Sequence, residues 1–109
     1  MEKISYEEFR KVQLRTATVK KVENHPNADK LYVLTINLGN ETRQIVAGMK
    51  PYYNPDEMEG KLIIIVANLE PAKLRGVESN GMLLAADDGK GKVILLTTDK
   101  KIDNGVEIR

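Results

Sequence analysis

The stretch "KLYVLTINLG", residues 30–39, constrains the fold of this chain more than any other. Tyr32, Leu34, Ile36 and Leu38 fall on one face and Val33, Thr35 and Asn37 on the other, which is the period of a strand with one buried and one wet face. An antiparallel sheet or a barrel wall requires that pattern. Similar signals surround it. "LRTATVKKVE" is rich in Thr and Val, and Gly39-Asn40 turns the chain into "TRQIVAG" as a hairpin. "KLIIIVANL", "MLLAA" and "KVILLTT" supply three more strands. Ser5-Tyr6-Glu7-Glu8 fits a capping box and predicts a brief helix ending near Lys11, and a further helix or loop is expected near "MKPYYNPDEMEG". Five or six strands at short spacing predict a small closed all-β barrel.

With 109 residues, 41% of them hydrophobic, the chain can form one core. A domain of this length buries roughly two-thirds of its unfolded surface. There is no repeat, low-complexity segment or linker, so residues 1–109 are read as a single domain. The longest apolar run, Leu62 to Ala67, is too short to span a bilayer, and "MEKISYEEFRK" lacks the apolar core of a signal peptide. A soluble, cytoplasmic protein is therefore expected.

Catalytic ingredients are scarce. Cysteine is absent, serine occurs only at Ser5 and Ser79, and the one histidine, His25, lies beside Pro26 in a polar loop, where a structural role is expected. No nucleophile elbow, Gly-rich phosphate loop or metal-ligand spacing is present, so no cofactor or metal is expected. Asp56, Glu57 and Glu59 lack the ordered spacing of a calcium loop and read as a solvated acidic turn.

The remaining feature is "NLEPAKLRGVESNGMLLAA", residues 68–86. Lys73 and Arg75 share a side of an extended segment, and Ser79-Asn80 brings small polar donors beside Gly76 and Gly81. Together they suit a phosphate-binding rim, with Met82 as an apolar contact to a sugar or base. The bland alternative is a solvated loop with Met82 as the first core residue of the next strand. Lys30 is in the same position: a rim cation and a phosphate contact look alike locally. The net charge of +1 does not by itself point to nucleic acid.

"NHPNADKLYVLTINLG", "RQIVAGM" and "IIIVANLEPAKLRGVESNGMLLAA" together resemble the tRNA-binding domain family. That domain occurs at the C-terminus of many methionyl-tRNA synthetases, in free-standing tRNA-binding proteins, in synthetase cofactors and in phenylalanyl-tRNA synthetase β chains. The resemblance runs from about Phe9 to the end. It implies an all-β fold: a five-stranded OB-fold barrel over about 12–86, a short N-terminal helix, and a C-terminal β extension over about 87–109 that forms a homodimer. It also implies non-catalytic recognition of tRNA by shape, in keeping with four Tyr, one Phe and no Trp for base stacking. Carried over by position, it puts Lys30, Asn68, Lys73, Arg75, Ser79 and Met82 on or beside the tRNA surface, with Arg43 in the facing hairpin as a lesser candidate. The start at Met1 and the lack of a catalytic domain suggest a separate subunit that raises the tRNA affinity of a methionyl-tRNA synthetase, or a free-standing binder. The alternative is a CsaA-like protein-export chaperone dimer that binds polypeptide.

Overall fold

The structure, a computed structural model, describes residues 1–109. Its principal sheet is organised on β1 (Leu14–Asn24). The strand order is β3 (Thr42–Ala47), β2 (Tyr32–Asn37), β1, β4 (Leu62–Val66), β7 (Met82–Leu83), and β10 (Glu107–Ile108) also pairs with β1. All pairings are antiparallel. β1 pairs with β4 through Leu14–Thr18 and with β2 from Thr18 to Asn24. Between Val19 and Lys21 the register with β2 slips, as at a β-bulge. The inward set changes there: Ala17 and Val19 are buried before it and Val22 after it, while Lys20 and Lys21 are exposed. One strand can therefore bend and serve two neighbours without turning its apolar side chains outward.

The alternation expected of β2 is present. Tyr32, Leu34, Ile36 and the following Leu38 are buried, and Val33, Thr35 and Asn37 are half-buried. They pack with Ile45 from β3 and Ile63 and Ile65 from β4. The neighbouring Ile64 and Val66 are buried as well, so β4 is covered on both faces and reads as a continuous apolar run. The overall character is mostly β, with two short helices. α1 (Tyr6–Arg10) carries the expected capping box, Ser5 Oγ accepting from Glu8 N at 3.1 Å, but buries none of its residues. α2 (Pro55–Met58) drives Met58 fully into the core.

Residues 85–109 are not an appendage. β8 (Ala85–Asp87) and β9 (Val93–Leu95) form their own hairpin, and Leu95 joins the core. Its N–H donates to Tyr53 Oη at 3.0 Å, and Tyr32 Oη donates to the Tyr53 carbonyl at 2.7 Å. Burial, helped by the Glu57 and Asp56 carboxylates, raises the Tyr32 pKa above its ordinary value, which keeps that phenol a donor. Beyond β9 the chain straps back to β1. Thr16, fully buried, makes four bonds to the strap: its N–H to Val106 O (3.0 Å), its carbonyl from Gly105 N (2.8 Å), and its hydroxyl to Asp103 O (2.8 Å) and from Val106 N (2.9 Å).

Thr16→Val keeps the shape but leaves the Asp103 carbonyl and Val106 N–H without their hydroxyl partner, so a loss of about 1–3 kcal/mol is expected. Urea unfolding should show a lower midpoint at unchanged slope. A wild-type midpoint would contradict the pinning role of this threonine.

Candidate nucleic-acid interface

The most specific stretch of the sequence folds as a separate two-stranded hairpin, β5 (Ala72–Leu74) and β6 (Val77–Ser79), closed by Arg75-Gly76. Both turn residues have positive φ, +53° and +89°, the sign pattern of a type I′ turn, whose twist matches that of the strands it joins. Glycine adopts this freely. For Arg75 the left-handed conformation costs about 1–2 kcal/mol, and it is the one non-glycine residue in the chain with positive φ.

The loop between β1 and β2, residues 25–31, holds that turn in place. Asn27 Nδ2 donates to the Arg75 carbonyl at 3.2 Å, and Arg75 Nη2 donates back to the Asn27 carbonyl at 3.3 Å. His25 is only 6% exposed, and it supplies the central contact. Its Nδ1 accepts from Asn27 N at 2.9 Å and its Nε2 lies 2.8 Å from the Leu74 carbonyl. A backbone N–H only donates and a carbonyl only accepts, so the ring is the neutral Nε2–H tautomer. The expected structural role for His25 is thus a latch between a loop and a hairpin far apart in sequence.

The latch sets the loop carrying Lys30 against the hairpin carrying Lys73 and Arg75. All three side chains are exposed and none forms an ion pair; the chain's two ion pairs are Lys21–Glu23 and Arg43–Glu41. Met82 is 47% exposed on β7 opposite Val66, so it is an available apolar surface and not the first core residue of its strand.

The other three expected contacts are engaged within the protein. Ser79 is buried, its Oγ accepting from Val46 N and donating to the Gly81 carbonyl, both at 2.9 Å. With Asn80 N donating to the Gln44 carbonyl at 2.9 Å, it fastens residues 79–81 to the edge of β3. Expected as a surface donor, Ser79 is instead a bridge within the fold. Gly81 is needed beside it, because a Cβ there would stand 3.2 Å from the Val66 carbonyl at a φ of +123°. Arg43 reaches from β3 to the Ala67 carbonyl and bonds Glu41 Oε1 at 2.7 Å. Asn68 accepts from Gln13 N at 2.8 Å and donates to the Lys11 carbonyl at 2.6 Å, tying down the segment after α1. Arg43 and Asn68 lie together, at the end of β2 opposite the latch.

No three His, Cys, Asp or Glu side chains are grouped so as to hold a metal, and no helix is long and apolar enough to cross a membrane. Residues 14–107 match the family model described as "Putative tRNA binding domain". The chain belongs to this tRNA-binding domain family. The domain is a non-catalytic binding unit. Among curated relatives, the methionine–tRNA ligase of Pyrococcus furiosus is 56% identical over the whole chain, and that of Caldanaerobacter subterraneus is 52% identical over 98% of it. The chain spans 15% and 17% of those two ligases' length. Among solved structures, a MetRS-related protein from Pyrococcus horikoshii superposes with a TM-score of 0.94 at 40% identity, each chain fully covered. The chaperone CsaA from Bacillus anthracis superposes with a TM-score of 0.91 at 28% identity, covering 99% of this chain and all of the other.

His25→Ala removes two hydrogen bonds at the latch of this tRNA-binding domain, and a cost of about 1–3 kcal/mol is expected. Amide exchange across residues 72–79 should accelerate before the rest of the sheet opens. Exchange that stays uniform between hairpin and sheet would rule out the latch.

Proposed function

We propose that this chain binds tRNA by shape and charge as the tRNA-binding unit of a methionyl-tRNA synthetase system, with its curled sheet acting as a five-stranded OB-fold barrel in the cytoplasm. The observation that carries this is the latched pair of loops: Lys30, Lys73 and Arg75 are exposed, free of ion pairs and mounted on two segments that His25 and Asn27 tie together. Cations carried on a held backbone require no ordering of the loop when they meet phosphates, and phosphate contacts set position without reading sequence. Met82, exposed nearby in the chain, adds an apolar contact for a sugar or base. Ser79 contributes by fixing the hairpin's return strand, and Arg43 and Asn68 by shaping the far end of the same wall. The family and the ligase relatives support tRNA as the partner. Ile94, Leu96 and Ile102, exposed on the C-terminal segment, would be covered in a homodimer.

The likeness to CsaA supports a second reading, a chaperone dimer that binds polypeptide through exposed apolar surface. The two readings differ in their response to salt. Phosphate binding weakens by orders of magnitude as salt rises when several contacts are made, whereas apolar peptide binding does not.

Arg75→Gly is the informative variant, because it relieves the left-handed strain while removing the guanidinium. The hairpin should melt no earlier than in wild type, while tRNA affinity falls and the slope of log affinity against log salt drops by about one. Lys73→Ala should act in the same direction with little effect on stability. Wild-type affinity in both variants, or equal preference for a plain RNA duplex, would refute shape-selective binding by these cations. Peptide binding that persists at high salt without tRNA binding would favour the chaperone.

A further inference from the structure

At the end of β2 away from the latch, the turn 38–41, the start of β1, the end of β4 and the strap at 104–105 surround an open polar groove of about 580 Å³. Arg15 and Arg43 both line it, against a single carboxylate, Glu41, which is already bonded to Arg43. Arg15 was not among the residues that the sequence singled out.

The two guanidiniums in this groove carry more donors than the protein satisfies. Arg15 donates to the Gly105 carbonyl at 3.3 Å and to Gln13 Oε1 at 2.8 Å, so of five N–H groups three have no protein acceptor. Arg43 keeps two. The amide oxygens of Gln13, Asn68 and Asn104 already accept, from Arg15 Nη2, Gln13 N and Thr18 Oγ1 respectively. The unfilled groups on the two guanidiniums are all N–H donors. Asn40 stands exposed in the adjoining turn. Unfilled donors around two guanidiniums suit an anion with several acceptor oxygens, and a phosphate group matches the planar fork of arginine.

We infer that this groove is a second phosphate subsite for RNA, centred on Arg15 and rimmed by Arg43, Asn40 and Asn104. It rests on the tRNA-binding reading and extends it. Six-residue β2 separates the groove from the latched cations by about 20 Å. One cationic cluster lets a bound RNA pivot, whereas two at opposite ends of a strand fix the direction in which its backbone crosses the sheet.

The test is binding of unfractionated tRNA to the full chain across a salt series. Arg15→Gln and, separately, Asn40→Asp should each lower affinity roughly three- to tenfold, and Arg15→Gln should reduce the salt slope by about one, additively with Lys73→Ala. Asn40→Asp adds a repelling charge at an exposed turn and keeps the test open if Arg15→Gln loosens the strap. Wild-type affinity in both variants, with Lys73→Ala weakened, overturns the subsite and leaves the tRNA reading standing. A wild-type chain that ignores tRNA overturns both. In that case saturable NMR shifts at Gln13 and Asn40 on adding inorganic phosphate would reassign the groove to a free anion.

Discussion

β1 has to satisfy hydrogen bonds on both edges over eleven residues with three different partners, and the arrangement of the chain follows from how it does so. A straight strand of period two could not keep Ala17, Val19 and Val22 all inward. The slip beside Lys20 inserts the extra residue that this requires and bends the strand, so that β4 lies along its first half and β2 along its second. The remaining edge beside Leu14–Thr16 is covered only when the strap returns with β10 and Val106.

The same geometry gives the candidate interface its form. β1 ends in the loop that carries His25 and Asn27, and the long connection from β4 to β7 comes back across the sheet to meet that loop. Backbone groups that would otherwise be unpaired at Leu74 and Arg75 find side-chain partners there. The left-handed Arg75 is tolerated because its carbonyl and guanidinium both bond to Asn27. A local strain is thereby held by contacts across 48 positions of sequence, which is how such backbone persists at binding sites. Cations at both ends of β2 are consistent with a ligand broad enough to cover the wall between them.

Patterns set by local physics were legible in the sequence. The alternation at Tyr32–Leu38 and the Ser5–Glu8 capping box depend on neighbours within a few residues, and both are present; near Pro55 the sequence left helix and loop open, and the chain forms a short helix. The family was legible because "ADKL", "IVAG" and the run after Asn68 recur in a fixed order. Ser79 was misjudged as a surface donor because its partners, Val46 and Gly81, include a strand 33 residues away. For Met82 the sequence left a surface contact and a core position both open, because its alternation with Leu83 is too short to say which face is covered, and the side chain is exposed. Arg15 carried no signal, since its setting depends on Gly105, 90 positions later. A type I′ turn at Arg75-Gly76 was also hidden, because Arg is not a residue that announces positive φ.

The strap held by Thr16 has a consequence for how the protein is made. Val106 lies 90 positions beyond Thr16, so at about 5–20 residues per second β1 leaves the ribosome roughly 5–18 seconds before its last partner exists. During that interval a β-rich stretch has an unprotected edge, the surface most prone to pairing with another chain. Biogenesis, more than final stability, is therefore where this topology is exposed, and slowed translation late in the message would lengthen the hazard without altering a single contact in the finished fold.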